Sequence, residues 1–403
     1  MTDLTQDQPE QSRTSRARDR QRRRRERQRQ REQSNRPEKR PAGHLSPAGR
    51  LKLPDINTRI VQGVAFVIAA GIFMVALIIA VGMFKNDPIL PDPNAYWIDQ
   101  EWTYETRDLA QVNALASQLR ANEVGIIYAH VSELNFDLTW TGLPEGSNQF
   151  AEVEPQVRAF VEQIEQSHGN LRTYGVVNIR ADLDADGYRL DDPAVIEAIS
   201  TFSTQVVTGL GFDGVLLNVQ PVWNNDENYL QLVREVRRAI GDEALFAVAV
   251  PPDWTPIGVD VPVPSNIAPG TVWDEEFKRR VALLQVDQIV LKAFDSYLVG
   301  ANGFTTNDYS QWLAYQVQAY IDAIAYLDND TRLIVTLSTE ADKAVTRDAE
   351  VETVLAGISG VVQGIGRFDD DDRGVLEGIA LYSSADTTNT DWDQFNDLWV
   401  GRS

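Results

Sequence analysis

Two kinds of hydrophobic pattern divide the chain. Residues 60–84 are apolar or glycine except for Gln62. From residue 95 onward, short apolar runs alternate with longer stretches whose apolar positions recur every three to four residues. The first pattern is typical of a membrane helix, and the second of strands that alternate with helices. The chain is therefore predicted to hold one membrane segment and one α/β domain.

Eight apolar runs are predicted to be strands. They are residues 95–101, 124–131, 173–179, 214–219, 245–251, 288–294, 332–338 and 378–382. The predicted helices are residues 108–121, 151–166, 193–210, 228–240, 273–284, 311–327 and 351–362. This alternation predicts an α/β (β/α)8 TIM barrel over residues 95–403. A doubly wound open sheet is the alternative, but no Gly-x-Gly-x-x-Gly sequence follows any strand, which disfavours a dinucleotide fold.

The amino-terminal region predicts a single-pass membrane anchor. As a helix, residues 60–84 are long enough to cross a bilayer, and no small-x-small cleavage site follows them, so we interpret them as a signal anchor. Residues 1–59 hold 17 Lys and Arg against 8 Asp and Glu and few large apolar residues, which predicts a disordered cytoplasmic tail. Residues 85–94 are predicted to be a linker. The barrel is then expected outside the plasma membrane, on a bacterial or archaeal cell surface.

The sign of the charge reverses after the membrane segment. Residues 86–403 contain 19 Lys and Arg against 51 Asp and Glu, a net charge of −32. Such a surface repels polyanions, so a neutral glycan is a better candidate partner than an acidic polymer. The Arg-rich tail is predicted to contact anionic lipid, while nucleic acid is disfavoured because no aromatic platform accompanies the arginines. The chain has no cysteine, so its core must stabilise it without disulfides.

The most informative segment is residues 211–221, Gly-Phe-Asp-Gly-Val-Leu-Leu-Asn-Val-Gln-Pro. In a strand, Leu216, Asn218 and Gln220 share one face. This spacing resembles the Asp-Gly-x-x-Asp-x-Asp-x-Glu signature of the family-18 glycoside hydrolases, the chitinase-like (β/α)8 barrels. None of the three side chains can ionise. The chain thus resembles the family with a degenerate catalytic motif.

The resemblance extends over most of residues 95–400. Residues 190–193 and 211–214 are similar to the connection from the third to the fourth strand of the family, and residues 246–251 look like its fifth strand. Residues 286–295 look like the sixth strand, where the Met-x-Tyr-Asp motif of active members reads Lys292, Phe294 and Asp295. Residues 378–382 resemble the eighth strand.

The resemblance implies both a chemistry and its loss. In family-18 enzymes the acetamido oxygen of the substrate attacks the anomeric carbon, one Asp orients that amide, and a Glu protonates the glycosidic oxygen. Asn218 and Gln220 stand where the orienting Asp and the acid would be, so we expect no family-18 hydrolysis. The expected function is a surface domain that binds N-acetylated oligosaccharide or acts as a scaffold. Simple filling of the barrel by these two amides remains an open alternative.

Candidate ligand-binding residues are polar or aromatic side chains near predicted strand ends. They are Asn218, Gln220, Trp223, Trp254, Lys292, Asp295, Tyr297 and Tyr382. Aromatic faces suit the CH faces of sugar rings, and Trp102 and Trp140 follow the first two strands in the same way. Two further hypotheses remain: an active glycosidase that uses Glu340, Asp295 and Asp253, and a purely structural domain that binds a protein partner.

A lysine in the predicted sixth strand and an acidic segment after the predicted third strand are two further features of the sequence. Lys292 is predicted to face the barrel axis, where its charge needs a carboxylate or water as a partner, and Asp295, Asp213 and Glu340 are the candidate carboxylates. Asp182, Asp184 and Asp186 match the first half of a calcium loop, but Pro193 at its twelfth position excludes an EF-hand. A partial calcium site or a solvated turn remains. The histidines, His44, His130 and His168, are too dispersed for zinc, although His130 is placed to line the cleft.

Overall fold

A closed barrel of eight parallel strands forms the body of the described chain. The structure, a computed structural model, describes residues 94–183, 187–253, 261–262, 272–327, 329–341 and 343–402. The strands are β1 (Asn94–Ile98), β2 (Val124–Glu133), β3 (Arg172–Arg180), β4 (Gly214–Gln220), β5 (Leu245–Val250), β6 (Gln288–Lys292), β7 (Arg332–Ser338) and β8 (Leu376–Tyr382). Neighbours in the chain pair in parallel, and β1 pairs with β8, which closes the barrel.

Helices follow the strands and pack on the outer face of the barrel. They are α1 (Gln100–Tyr104), α2 (Leu109–Ala121), α3 (Phe150–Ser167), α4 (Pro193–Thr204), α5 (Glu227–Ile240), α6 (Glu275–Ala282), α7 (Thr306–Ala325), α8 (Val354–Ile365), α9 (Asp370–Arg373) and α10 (Asn389–Leu398). Reciprocal side-chain caps fix the first turns of α2, α7 and α10, where Asp108, Thr305 and Thr388 accept from backbone N–H groups.

Successive strand residues face two separate cores. On β4, Val215, Leu217 and Val219 lie in the large core beneath the helices, whereas Leu216 belongs to a smaller cluster inside the barrel. Because both faces of each strand are buried, the strands read as continuous apolar runs rather than as alternating ones. Gly214 begins β4 because a Cβ there would lie 2.2 Å from the Leu245 carbonyl oxygen of β5.

The predicted barrel is confirmed by the closed strand order, which rules out the open sheet. All eight predicted strands and seven predicted helices are present, with shifts of a few residues at their ends. The largest shift among the strands is at residues 95–101, where β1 ends at Ile98 and α1 begins at Gln100, and among the helices α4 ends six residues early and α7 begins five residues early. The helix α10 was not predicted, because its apolar positions are few, although it buries Trp392 and Phe395 against the barrel.

The predicted tail and membrane anchor, residues 1–59 and 60–84, lie outside the described residues, as does the predicted linker 85–94 except for Asn94, which begins β1. Within the described part of the chain, none of the helices has the length and apolar character needed to span a bilayer. The division of the amino-terminal region into tail, anchor and linker stays a prediction.

Candidate functional site at the carboxyl ends of the strands

The three degenerate positions on β4 face the barrel axis, as predicted. Leu216 is fully buried in the inner cluster. Asn218 is half-buried and Gln220 is exposed at the carboxyl end of the strand. Burial therefore increases along β4 from Gln220 at its carboxyl end to Leu216 inside the barrel, so the two amides are the more accessible of the three side chains. This is the end of a (β/α)8 barrel at which binding sites form.

Asn218 and Gln220 belong to a line of hydrogen bonds that crosses three strands. Gln220 donates from Nε2 to Oδ1 of Asn218 at 3.2 Å, and Asn218 donates from Nδ2 to Oδ1 of Asn178 on β3 at 2.7 Å. Asn178 Nδ2 lies 3.1 Å from Nδ1 of His130 on β2, and Nε2 of His130 lies 3.3 Å from the hydroxyl of Tyr104 in α1. We call these five residues the neutral relay.

The direction of the relay fixes the protonation state of His130. An amide N–H can only donate, so Nδ1 of His130 must accept from Asn178 and the proton must sit on Nε2. That N–H then donates to Tyr104, whose hydroxyl donates to the Val131 carbonyl at 2.8 Å. Burial lowers the pKa of His130 to about 4, because the charged imidazolium loses hydration. Every member of the relay is therefore neutral at neutral pH.

Beside the relay, a main cavity of about 440 Å³ opens at the carboxyl ends of β4, β5 and β6. Its apolar wall is formed by Val219, Pro221, Val222, Ala249, Val250, Pro251, Pro252, Val272, Phe294 and Trp312. Its polar lining is formed by Gln220, Lys292, Asp295, Ser296, Tyr297 and Thr346. A side cavity of about 210 Å³ is lined by Asn178, Arg180, Glu133, Asn218 and Gln220, so Gln220 borders both.

Lys292 lies in the lining of the main cavity without an ion pair. Its ammonium sits 4.9 Å from the ring centre of Phe294, a cation–π contact, and makes no hydrogen bond or ion pair with any described residue. Burial lowers the pKa of Lys292 to about 8, although the charges of Asp295 and Glu340 oppose that shift. No carboxylate of the described residues therefore lies within ion-pair distance of Lys292, where an open cavity and an aromatic face surround the amine, and a water partner stays a prediction.

Asp213 lies at the opposite end of the barrel from Lys292. Its carboxylate accepts from the backbone N–H and the hydroxyl of Thr173 at 2.8 and 3.0 Å, where β3 begins. Asp213 precedes β4 whereas Lys292 ends β6, so the length of a strand separates them. Of the three acids predicted for Lys292, this one is excluded by position.

Asp295 begins a tight turn that a buried carboxylate holds. Asp295 and Tyr297 both adopt positive φ angles, 56° and 61°, which side chains rarely take. Glu352, which is fully buried, accepts from the backbone N–H groups of Asp295 and Ser296 at 3.1 and 2.8 Å and from the Ser296 hydroxyl at 2.6 Å. Burial raises the pKa of Glu352 to about 7. No sequence pattern predicts this role, because Glu352 lies 57 residues from Asp295.

Arg347 links Glu352 to Glu340. The buried guanidinium of Arg347 lies 3.1 Å from the Glu340 carboxylate and 3.8 Å from that of Glu352. Burial raises the pKa of Glu340, and Arg347 opposes that shift. We call Lys292, Asp295, Glu340, Arg347 and Glu352 the charged cluster.

The aromatic residues predicted to bind a ligand differ in where they lie relative to the main cavity. Tyr297 lines the main cavity, and Tyr382 stacks on Phe294 of that cavity at 5.0 Å between ring centres. Trp223 is 40% exposed just after β4. Trp254 lies outside the described residues.

The two tryptophans that follow the first strands pack elsewhere. Trp140 stacks on Phe202 of α4 at 3.8 Å, and Trp102 packs under Arg107 at 5.0 Å. Neither lines the main cavity. A position just after a strand therefore did not predict that a tryptophan lines the cavity, because a residue in a loop can pack against a helix as readily as into the cleft.

The acids proposed for an active glycosidase have different surroundings. Asp253 is buried and forms an ion pair with Lys278 at 3.0 Å, so it serves the packing of α6 behind the cavity wall. Asp295 accepts from the Thr346 hydroxyl at 2.9 Å. Glu133, which sequence reasoning missed, ends β2 in the side cavity, where burial and the charge of Glu145 raise its pKa.

The calcium hypothesis falls on residues that the structure does not describe. Asp184 and Asp186 lie outside the described residues, and only the backbone of Asp182 is described, in a short strand Asp182–Leu183 that pairs with Gly187–Tyr188. Among the described side chains, no group of three acids or histidines is close enough to hold a metal ion. A partial calcium site at this turn stays a prediction.

No protein-family model matches the chain, and no curated protein matches its sequence. Solved structures similar to it include the spore cortex-lytic enzyme SleL of Bacillus cereus, with 10% identity over 76% of this chain and 74% of that one and a TM-score of 0.46. A class V chitinase from Pseudomonas fluorescens has 12% identity, coverage of 75% and 98%, and a TM-score of 0.46. The Group IV chitinase of Ostrinia furnacalis has 13% identity, coverage of 77% and 99%, and a TM-score of 0.48. Likenesses this distant say nothing about activity or substrate.

Proposed function

We propose that the barrel is a glycan-binding domain that lacks the hydrolytic chemistry of the family-18 enzymes it resembles. The neutral relay is the observation that carries this proposal. Gln220 stands at the position of the general acid, and its amide has no proton of suitable acidity to give to a leaving oxygen. Asn218, at the position of the orienting carboxylate, donates one amide N–H to Asn178 and accepts from Gln220. Replacing either amide by a carboxylate would break this pattern of donors and acceptors.

The lining of the two cavities supports an oligosaccharide ligand. Phe294 and the proline and valine side chains offer apolar faces to sugar CH groups, while Gln220, Ser296 and Tyr297 offer donors and acceptors to hydroxyl or acetamido groups. The net charge of residues 86–403 favours a neutral, N-acetylated ligand over a polyanion.

The proposed setting of this domain is the outer face of a plasma membrane. Residues 60–84 would anchor the chain once, and the excess of basic residues in 1–59 would keep that tail in the cytoplasm and near anionic lipid. A protease added to intact cells should digest the barrel and spare the tail. Digestion of the tail from outside would reverse the proposed orientation.

Binding is tested by titration of the detergent-solubilised full chain with chito-oligosaccharides of increasing length. Gln220→Ala and Asn218→Ala should each weaken binding by about tenfold, the effect of losing a well-placed hydrogen bond. Gln363→Ala, an exposed amide on α8, is the matched control and should bind like the parent. Absence of binding by the parent chain, or equal binding by all variants, would favour the structural partner-binding domain.

A hydrolase that uses Glu133 is the second candidate function. The observation that favours it is the raised pKa of Glu133 in the side cavity that Gln220 and Asn218 also line. A carboxyl group of raised pKa can retain the proton that a general acid needs. Turnover of an oligosaccharide by the parent chain that disappears in Glu133→Gln would establish this candidate.

A further inference from the structure

Lys292 differs from the other lysines of the described chain in its surroundings. Lys278 is buried, but it pairs with Asp253 at 3.0 Å and donates to the Ala319 carbonyl. Lys343 is about half exposed and pairs with Asp348 and Glu350 at 3.3 and 2.9 Å. Among the described residues Lys292 has neither kind of partner, and it lines the main cavity with its amine beside the ring of Phe294. Lys278 is thus buried and paired, Lys343 is exposed and paired, and Lys292 is half-buried and unpaired within the described part of the chain.

The charges around Lys292 leave its amine partly free of protons near neutral pH. Burial lowers its pKa to about 8, and the opposing groups are Asp295 on the following turn and Glu340 after β7. Arg347 partly neutralises Glu340, Lys292 pairs in register with Thr336 of β7, and Ala249 of β5 lines the same cavity. Tyr382 of β8 stacks on Phe294, the ring beside the amine. By contrast, hydrogen bonds to Glu350 and Asp348 raise the pKa of Lys343. A larger share of Lys292 is therefore present as the nucleophilic free amine.

We propose that Lys292 is a reactive amine that captures a small aldehyde or ketone in the main cavity as an imine. The nitrogen lone pair attacks the carbonyl carbon, and a C–N bond forms. A proton passes from nitrogen to the former carbonyl oxygen, giving a carbinolamine. The hydroxyl oxygen accepts a second proton from solvent and leaves as water. As the C–O bond breaks, the nitrogen lone pair forms the C=N bond, and the iminium nitrogen then releases its proton to solvent. The exchange is a reversible condensation that needs no oxidant or reductant.

The cavity defines the class of carbonyl compound. A volume of about 440 Å³ holds a small molecule, and most of the cavity lining is formed by valine, proline and aromatic side chains. An uncharged carbonyl compound with an aromatic or branched aliphatic body fits this lining. A second carbonyl substituent that carries negative charge would meet Asp295 in the same lining. The proposal does not rest on glycan binding, but a glycan in the main cavity would compete with the carbonyl compound for the same space.

Reductive trapping tests the proposal on the detergent-solubilised full chain. Benzaldehyde with cyanoborohydride at pH 7 converts each imine into a stable benzylamine, and peptide mass mapping gives the rate at Lys292, Lys278 and Lys343. Lys292 should react roughly ten times faster than Lys343, since a lower pKa leaves more free amine even after its weaker nucleophilicity is allowed for. Lys278 should react slowest because it is buried and paired.

The pH profile and one variant complete the test. The rate at Lys292 should reach half of its maximum near pH 8, whereas that at Lys343 should still rise above that pH. Lys292→Arg keeps the positive charge and should lose the fast label while the labelling of Lys343 and the far-ultraviolet circular dichroism spectrum stay unchanged. Labelling of Lys292 no faster than Lys343 at pH 7, or a Lys292 rate still rising steeply above pH 9, would overturn the proposal.

Discussion

The two halves of the barrel mouth differ in charge: one is lined by neutral polar side chains and the other by ionisable ones. On the side of β2, β3 and β4, the neutral relay joins Gln220 to Tyr104 without a formal charge. On the side of β6 and β7, the charged cluster holds Lys292 and Arg347 among three carboxylates. The neutral half is the one to which we assign glycan binding without hydrolysis. In the charged half, by contrast, Glu352 holds the backbone N–H groups of Asp295 and Ser296, so a charge there positions the chain.

The largest expected effect is the restoration of chemistry to the neutral half. Asn218→Asp with Gln220→Glu returns both carboxylates at nearly constant volume, and Lys292→Met removes a cation that would hold the new Glu too acidic to donate. The triple variant should raise turnover of a chromogenic chito-oligosaccharide by about 10²–10⁴ over the parent chain, because two catalytic groups return.

The same variant also tests the relay. A carboxylate at position 218 can only accept, so Asn178 must turn its amide, and Nδ1 of His130 must then carry a proton. Nitrogen NMR of the imidazole would detect this change of tautomer. If the variant folds like the parent yet neither binds nor cleaves N-acetylated oligosaccharides, the site has lost more than its charges, and the structural-partner hypothesis becomes the better one.

In the charged half, Glu352→Ala should give the largest loss of stability. The substitution removes the buried carboxylate beside the Arg347 guanidinium. It also leaves the backbone N–H groups of Asp295 and Ser296 without their acceptor. Breaking a buried charged network in this way costs about 3–5 kcal/mol in the free energy of unfolding. Urea denaturation followed by tryptophan fluorescence measures it. Glu350→Ala, an exposed acid on the same loop, should cost less than about 1 kcal/mol, and equal losses would contradict the assigned role of Glu352.

In the neutral half, Asn178→Ala should cost less. It removes the bonds to Asn218 and His130, and because Asn218 lines the side cavity, water can replace the partner that Asn218 loses. The expected decrease in the free energy of unfolding is about 1–3 kcal/mol in the same denaturation experiment. A loss larger than that of Glu352→Ala would invert the proposed difference between the two halves.

The two halves should also respond oppositely to pH. The pKa of Glu352 is raised to about 7, so its contribution to stability is full below its unfolded pKa and is lost as the pH rises through 7. The pKa of His130 is lowered to about 4, so its contribution is full above pH 6.5 and is lost as the pH falls through 4. Unfolding free energies of Glu352→Gln should therefore fall more steeply than those of the parent as the pH drops from 7 to 4.5. Parallel curves would show that Glu352 is ionised throughout that range.

Periodicity predicted the barrel well because its strands are buried on both faces and its helices on one. The same pattern placed Gln220 and Asn218 correctly on the axis. It could not find Asn178, Glu133 or Glu352, because their roles depend on neighbours that lie 40 or more residues away.

One of the carboxylates predicted as a partner of Lys292 was wrong for a similar reason. Residue type and distance along the chain suggested Asp213, but they do not say at which end of a strand a carboxylate lies. An amine that remains unpaired beside an aromatic ring has no signal in sequence at all. Prediction from sequence therefore succeeded for strands and helices, whose buried positions recur at a regular spacing. It failed for single contacts between residues that lie far apart in the chain.

The most direct test of the central claim is the release of chromophore from a chito-oligosaccharide by the parent chain and by Gln220→Ala, measured side by side with glycan binding. We predict that the parent binds the oligosaccharide and that neither protein releases product above the rate without protein. Turnover by the parent that is well above that of Gln220→Ala would contradict a non-catalytic site and would show that the neutral half still performs chemistry.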